Sequence, residues 1–152
     1  MDLSRLKPGL RGQCKIVVES EHTAPHVGSG VVPVLATPVM INMFEASALA
    51  AVEGLLPEGY QTVGITLDVR HFAATPVGME AFAEAELVSI DNRTLRFKVA
   101  ARDEHEPIGD GFHERVIITL GRFDQRMADK LETVKGKGRL NLKMPHVKAT
   151  SG

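Results

Sequence analysis

The sequence has few of the residues that mark several common protein classes. Its 152 residues include one cysteine, Cys14, one tyrosine and no tryptophan. A single cysteine excludes an intrachain disulfide and is more often a small buried side chain than a nucleophile. The one cysteine allows no CxxC spacing, and we expect no zinc site and no other bound metal.

Long apolar runs and a strong charge of one sign are also missing. The longest weakly polar stretch, residues 31–52, is interrupted by Pro33, Pro38, Asn42 and Glu45 and does not predict a membrane span. The formal net charge is −1, which gives no reason to expect nucleic acid or an anionic membrane as a partner. The first residues lack an apolar signal segment, and we expect a cytoplasmic protein.

What is present predicts one folded domain. Hydrophobic residues make up 43% and charged residues 24% of the chain, which is ordinary for a globular protein. The sequence divides into an N-terminal arm (1–13), a domain (14–134) and a C-terminal tail (135–152). The tail has five basic and no acidic residues, and we expect it to be flexible.

The clearest local signal is a long helix in the first half of the domain. Thr37 is a suitable N-cap, Pro38 fits the first helical position, and residues 39–53 are rich in Ala, Leu and Met. Gly54 stands where a C-terminal glycine ends a helix. The helix is apolar on most sides, so it is expected to be buried.

The other segments predict mainly strands. Residues 15–19 form a first strand, and a loop follows over 21–34. Alternation over 63–70 predicts a second strand, 79–90 and 94–100 predict a hairpin around Asp91-Asn92, and a turn region at 106–111 precedes a last strand at 116–120. A short helix follows at 124–134. This order indicates an α+β fold: an antiparallel sheet of about five strands wrapped around one long central helix, the hot-dog arrangement.

Four side chains stand out as candidates for chemistry, and each has a simpler interpretation. Thr37 is most simply a helix cap, and the simpler interpretation of Glu45 is a position on a solvent-exposed stripe of the helix. His71 is the last residue of the second strand and falls on the same alternation as the core-facing residues of that strand. Arg115 is most simply a surface ion-pair partner of Glu114 or Glu106. The remaining histidines show no pattern and are expected to be solvated: His22, His26, His105, His113 and His146.

Three blocks of sequence make these four candidates more specific together than each one is alone. They are VLATP (34–38) with MFE (43–45), VG (63–64) with HFAATPVG (71–78), and IGDGFHER (108–115). In their order and spacing they resemble the fluoroacetyl-CoA thioesterase type of hot-dog protein.

The resemblance implies an acyl-CoA thioesterase with a catalytic set of Thr37, Glu45 and His71. It implies that the backbone N–H of Gly64 binds the thioester oxygen and that Arg115 lies in the site region. It further implies a homodimer with the site between two subunits, coenzyme A as part of the substrate, and no separate cofactor. Whether Glu45, Thr37 or an activated water attacks the thioester stays open.

The loop before the helix departs from the fluoroacetate-specific pattern. No phenylalanine occurs between Glu19 and Met43, and Val31, Val32 and Val34 occupy the region of the aromatic gate. We therefore expect thioesterase chemistry without fluoroacetyl specificity, with Val34 contacting an apolar acyl group. Two alternatives keep the same fold: a non-catalytic acyl-CoA binding or sensing protein, and a dehydratase of hydroxyacyl thioesters.

Overall fold

A five-stranded antiparallel sheet curls around one long helix, as the sequence predicts. The computed structural model describes residues 1–137. The strands pair in the order β1-β3-β4-β5-β2. They are β1 (Arg11–Val17), β2 (Tyr60–His71), β3 (Glu80–Asp91), β4 (Thr94–Asp103) and β5 (Pro107–Thr119). The helices are α1 (Ala24–Val27), α2 (Thr37–Val52) and α3 (Leu120–Lys137), and a 3-10 turn spans Ser20–His22.

Helix α2 is the central helix, and its packing leaves part of the sheet uncovered. It packs mainly against β1 and β3 and barely touches β2 and β5. The close approach to β1 requires glycine, because a Cβ at Gly12 would overlap the backbone of Ser47 and Ala51. The inner face of α2 is buried, whereas Leu49 on its outer face is 43% exposed. The concave side of β2 and β5 is therefore available for a site.

Strand β2 contains an irregularity that strict alternation does not predict. Gly64 lies opposite Arg115 on β5 and Leu67 lies opposite His113, but the register shifts by one residue between Gly64 and Thr66. Directly paired residues point to the same side of a sheet. The bulge therefore turns Gly64 and the odd-numbered residues from Leu67 to His71 toward the same, concave side.

Several element boundaries differ from the sequence-based prediction. Strand β1 begins at Arg11, within the predicted arm, and ends at Val17 instead of residue 19. Strand β5 begins at Pro107, because Pro107 pairs with β4 and residues 109–111 of the predicted turn pair with β2. Helix α3 is longer at both ends than the predicted 124–134. Residues 138–152, which include most of the predicted tail and His146, lie outside the described residues.

A buried carboxylate ties the loop after β2 to the turn that follows β4. Asp103, at the end of β4, accepts a hydrogen bond from the Thr75 hydroxyl at 2.9 Å and from two backbone N–H groups of the following turn. The carbonyl of Thr75 accepts a hydrogen bond from the N–H of Leu35, just before α2. These bonds fix the loop after β2 against the segment that leads into α2.

No helix within residues 1–137 is both long enough and apolar enough to cross a membrane.

Candidate functional site

Thr37 and His71 form a side-chain pair at one end of the concave surface. Thr37 is the first residue of α2, and His71 is the last residue of β2. The Thr37 hydroxyl oxygen lies 2.7 Å from Nδ1 of His71. This distance is within the range at which a hydroxyl donates its proton to a general base.

The structure corrects the simpler interpretation of Thr37. The N-cap of α2 is Ala36, whose carbonyl accepts the first helical bonds, and no side chain caps this end of the helix. The Thr37 hydroxyl contacts His71 instead of the free backbone N–H groups of the first turn. The helix therefore places the hydroxyl but does not depend on it for capping.

The surroundings of His71 favour a neutral ring. Burial lowers the pKa of His71 below its ordinary value of 6.5, and a backbone interaction with Ala73 only partly opposes this shift. The Nε2 atom is buried and has no partner of good hydrogen-bond geometry within residues 1–137. A neutral ring with its proton on Nε2 leaves Nδ1 free to accept the Thr37 hydroxyl proton.

An apolar cleft opens beside this pair. Its volume is 360 Å³, and the predicted substrate residue Val34 lines it together with Val31, Val32 and Phe72. Val31 is 90% exposed, so the rim of the cleft presents an apolar side chain to solvent. A larger cleft of 780 Å³ on β1, β3 and β4 contains none of the predicted site residues. We place the candidate site at the smaller cleft because the reactive side chains lie there.

Glu45 and Arg115 form a second group, deeper along the concave surface. An Nη1 proton of Arg115 is donated to Glu45 across 3.3 Å, and the guanidinium also donates to the hydroxyl and the carbonyl of Thr62. Arg115 is 5% exposed. The simpler interpretation of Arg115, a surface ion pair with Glu114 or Glu106, is wrong, because β5 turns the side chain inward toward α2.

Gly64 lies directly beside this ion pair. A Cβ built on Gly64 would lie 3.1 Å from Glu45 Oε2, 3.2 Å from His113 Cε1 and 3.5 Å from Arg115 Nη1. Any larger residue would crowd the carboxylate. The absence of a side chain leaves the backbone of Gly64 approachable, as the predicted binding of a thioester oxygen requires.

His113 was missed by the sequence-based reasoning. It is fully buried, whereas it was expected to be solvated. Its Nδ1 lies 2.8 Å from the carbonyl oxygen of Thr66, and its Nε2 lies 3.2 Å from Nη1 of Arg115. The available signal was alternation on β5, since His113 shares the parity of Arg115 and of the core residue Ile117.

The predicted catalytic set is divided between these two groups. Thr37 and His71 touch each other, and Glu45 touches Arg115 beside Gly64. Thr37 and Glu45 are eight residues apart on one helix, which corresponds to about 12 Å along its axis. One copy of the chain thus presents two separate groups of candidate residues. Within residues 1–137, no group of three or more His, Cys, Asp or Glu side chains is arranged to hold a metal ion.

Comparisons with known proteins identify the family to which the chain is similar. The model of the fluoroacetyl-CoA-specific thioesterase family matches residues 18–120. The fluoroacetyl-CoA thioesterase of Streptantibioticus cattleyicolor is 36% identical over 97 residues, which cover 64% of this chain and 70% of that protein. The region matched by the family model contains all the candidate residues described above.

Superpositions on solved structures support the same fold. A structure of the fluoroacetyl-CoA thioesterase superposes with a TM-score of 0.77 and 31% identity, covering 82% of this chain and 97% of that one. A thioesterase superfamily member from Thermus thermophilus gives a TM-score of 0.81 and 25% identity, covering 86% and 96%. A hot-dog-like protein from Thermanaerovibrio acidaminovorans, at 19% identity, has a TM-score of 0.78 and covers 86% of this chain and 97% of its own. The predicted hot-dog fold is confirmed.

Proposed function

This chain belongs to the fluoroacetyl-CoA-specific thioesterase family, and from that premise we propose that it hydrolyses an acyl-CoA thioester to a free acid and CoA. The observation that carries the proposal is the 2.7 Å contact between Thr37 and His71 at an apolar cleft. A hydroxyl held against a neutral imidazole can attack a carbonyl or orient a water that does so. The same imidazole can then protonate the departing thiolate of CoA.

The proposed working unit is a homodimer joined along β2. This strand is an edge of the sheet, and its apolar residues Ile65 and Leu67 are 53% and 42% exposed. An open, apolar strand edge favours pairing with another strand. Antiparallel pairing of β2 with its copy would set the His71 end of one strand beside the 62–64 segment of the other.

That pairing would complete the site from two half-sites. Thr37 and His71 of one subunit would face the Glu45 carboxylate and the Gly64 backbone of its partner. The thioester carbonyl would lie between them, with the Gly64 N–H stabilising the charge that develops on its oxygen. Arg115 would hold Glu45 in place and balance its charge in the interface.

The proposed acyl group is apolar and not specifically fluoroacetyl. Val31, Val32 and Val34 line the cleft, with no phenylalanine in the loop before α2. The valine side chains offer apolar contact area in the region of the aromatic gate, and Phe72, which follows β2, adds to it. We expect acyl-CoA substrates with short or medium apolar chains to be hydrolysed at least as fast as fluoroacetyl-CoA.

The first test measures thiol release from a panel of acyl-CoAs that includes fluoroacetyl-CoA. We expect His71→Ala and Glu45→Gln to lower kcat by about 10²–10⁴-fold, the usual contribution of a proton-transfer group. Glu53→Gln, which changes an exposed carboxylate at the C-cap of α2, is the matched control and should retain wild-type kcat. Tight binding of an acyl-CoA without hydrolysis would instead support the non-catalytic binding protein.

The second test asks whether the two half-sites come from different subunits. Thr37→Val and Glu45→Gln are each expected to be inactive alone. Exchange of subunits between them produces mixed dimers in which one of the two sites has both intact half-sites, so about a quarter of wild-type activity should return. No recovery on proven subunit exchange would show that Thr37 and Glu45 do not share a site across the interface.

A further inference from the structure

His113 makes two buried hydrogen bonds that determine its protonation. The carbonyl oxygen of Thr66 can only accept a hydrogen bond, and the guanidinium of Arg115 can only donate. Nδ1 of His113 must therefore carry the proton that it donates to Thr66, and Nε2 must be an unprotonated acceptor for Arg115. The geometry thus fixes a neutral ring in the Nδ1–H tautomer.

The partners of His113 belong to the two features that shape the second half-site. Thr66 is the residue at which the β2 register resumes after the bulge that follows Gly64. Arg115 holds Glu45 through the same nitrogen, Nη1, that contacts His113. One imidazole thus links the backbone beside Gly64 to the cation that orients the carboxylate.

We propose that His113 is a positioning residue for thioester hydrolysis, which fixes the Gly64 bulge and the Arg115–Glu45 pair relative to each other. This inference rests on the proposed function, since it assigns His113 a role through Glu45 and Gly64. His113 itself does not contact the substrate. Its loss would leave the reactive groups present but incorrectly placed.

A purely structural role makes a different prediction. His113 is packed in a stacked arrangement against Phe97, with ring centroids 6.4 Å apart. If packing were its only role, an aromatic ring of similar shape would replace it without loss of activity. His113→Phe retains the ring but leaves the Thr66 carbonyl and one Arg115 N–H without their partner.

The test compares this variant with a packing control, Phe97→Leu, which disturbs the same buried layer without removing a hydrogen bond. Below the melting temperatures of both, we expect His113→Phe to lower kcat by about 10–100-fold, the effect of misplacing reacting groups. We expect Phe97→Leu to stay within about threefold of wild type. Equal losses in the two variants would overturn the proposal.

A double-mutant cycle then asks whether His113 acts through Glu45. In a Glu45→Gln background, His113→Phe should cost no more than about threefold, because the group that it positions is already lost. Full additivity would overturn the positioning role. Full activity of Glu45→Gln alone would instead contradict the proposed function, so the two failures are distinguishable.

The wild-type protein supplies a test that needs no substitution. Long-range ¹H–¹⁵N spectra distinguish the two neutral tautomers from the charged ring. We expect His113 to be neutral and protonated on Nδ1 at pH 7. Protonation on Nε2, or a charged ring, would overturn the proposal whatever the variants do.

Discussion

Substitution of Gly64 by alanine should change the activity of the protein much more than its stability. The added Cβ would lie 3.1 Å from Glu45 Oε2 and 3.2 Å from His113 Cε1, both tighter than ordinary contact. The carboxylate is the end of a flexible side chain and can move by a few tenths of an ångström. The His113 ring is buried and held by two hydrogen bonds, so Glu45 is the group expected to move.

The expected change in stability is small because two effects oppose each other. Gly64 does not adopt a positive φ, so alanine fits its backbone conformation. Replacing glycine at such a position reduces the entropy of the unfolded chain and stabilises by about 0.4–1 kcal/mol. Crowding against Glu45 costs a similar amount. We expect the free energy of unfolding to change by less than about 1 kcal/mol.

The expected change in activity is large. The Cβ displaces the carboxylate and narrows the approach to the Gly64 backbone, where the oxygen of the thioester is proposed to bind. Misplacing a catalytic group by a fraction of an ångström to an ångström costs up to about 10²-fold. We therefore expect kcat/KM of Gly64→Ala to fall by about 10–100-fold.

Thiol-release kinetics and denaturant unfolding of the same preparations measure both quantities. Gly121→Ala is the matched control, because a Cβ there meets no atom within 4 Å. It should leave kcat/KM unchanged. If Gly64→Ala retains wild-type kcat/KM at unchanged stability, the backbone of Gly64 and its contact with Glu45 are not part of the site.

Three further predictions concern the residues around the cleft and its supporting loop. Thr37→Val should abolish thioesterase activity but change the free energy of unfolding by less than about 0.5 kcal/mol, since no cap is lost; a loss of 1–2 kcal/mol in denaturant unfolding would indicate a cap after all. Because the pKa of His71 is lowered, its ring stays neutral down to a pH below 6.5, and kcat/KM should decline only below that pH. A pH profile whose decline is centred above 6.5 would contradict this prediction, and the decline should be missing in His71→Gln. Asp103→Ala should lower the free energy of unfolding by about 2–3 kcal/mol, because the Thr75 hydroxyl and two N–H groups lose a buried charged acceptor. A loss under about 1 kcal/mol in denaturant unfolding would show that Asp103 does not hold the loop after β2.

Local chemistry made the central helix predictable. Pro38 and the Ala-, Leu- and Met-rich residues after it predict its extent, and Gly54, at a φ of +71°, ends it as expected. For Thr37, the family resemblance predicts a catalytic role, whereas local residue preference predicts a helix cap. Its contact with His71 depends on how the end of β2 lies against the start of α2, which no local pattern reports.

The concave surface shows where sequence patterns stop being informative. Parity places His71 with Leu67 on the inner face, and the same parity would turn Gly64 away from it. The bulge brings both to one side, but it is defined by pairing with β5, some fifty residues later in the chain. No local motif distinguishes His113, although it shares its parity on β5 with the core residue Ile117.

The division of the reactive groups along α2 has a consequence for how the protein would be handled. Thr37 and Glu45 lie about 12 Å apart along one helix, and their side chains contact different partners, His71 and Arg115. On the two-copy arrangement proposed above, specific activity would fall on dilution below the dissociation constant of the dimer. Rates measured at nanomolar protein would then report subunit association as well as chemistry.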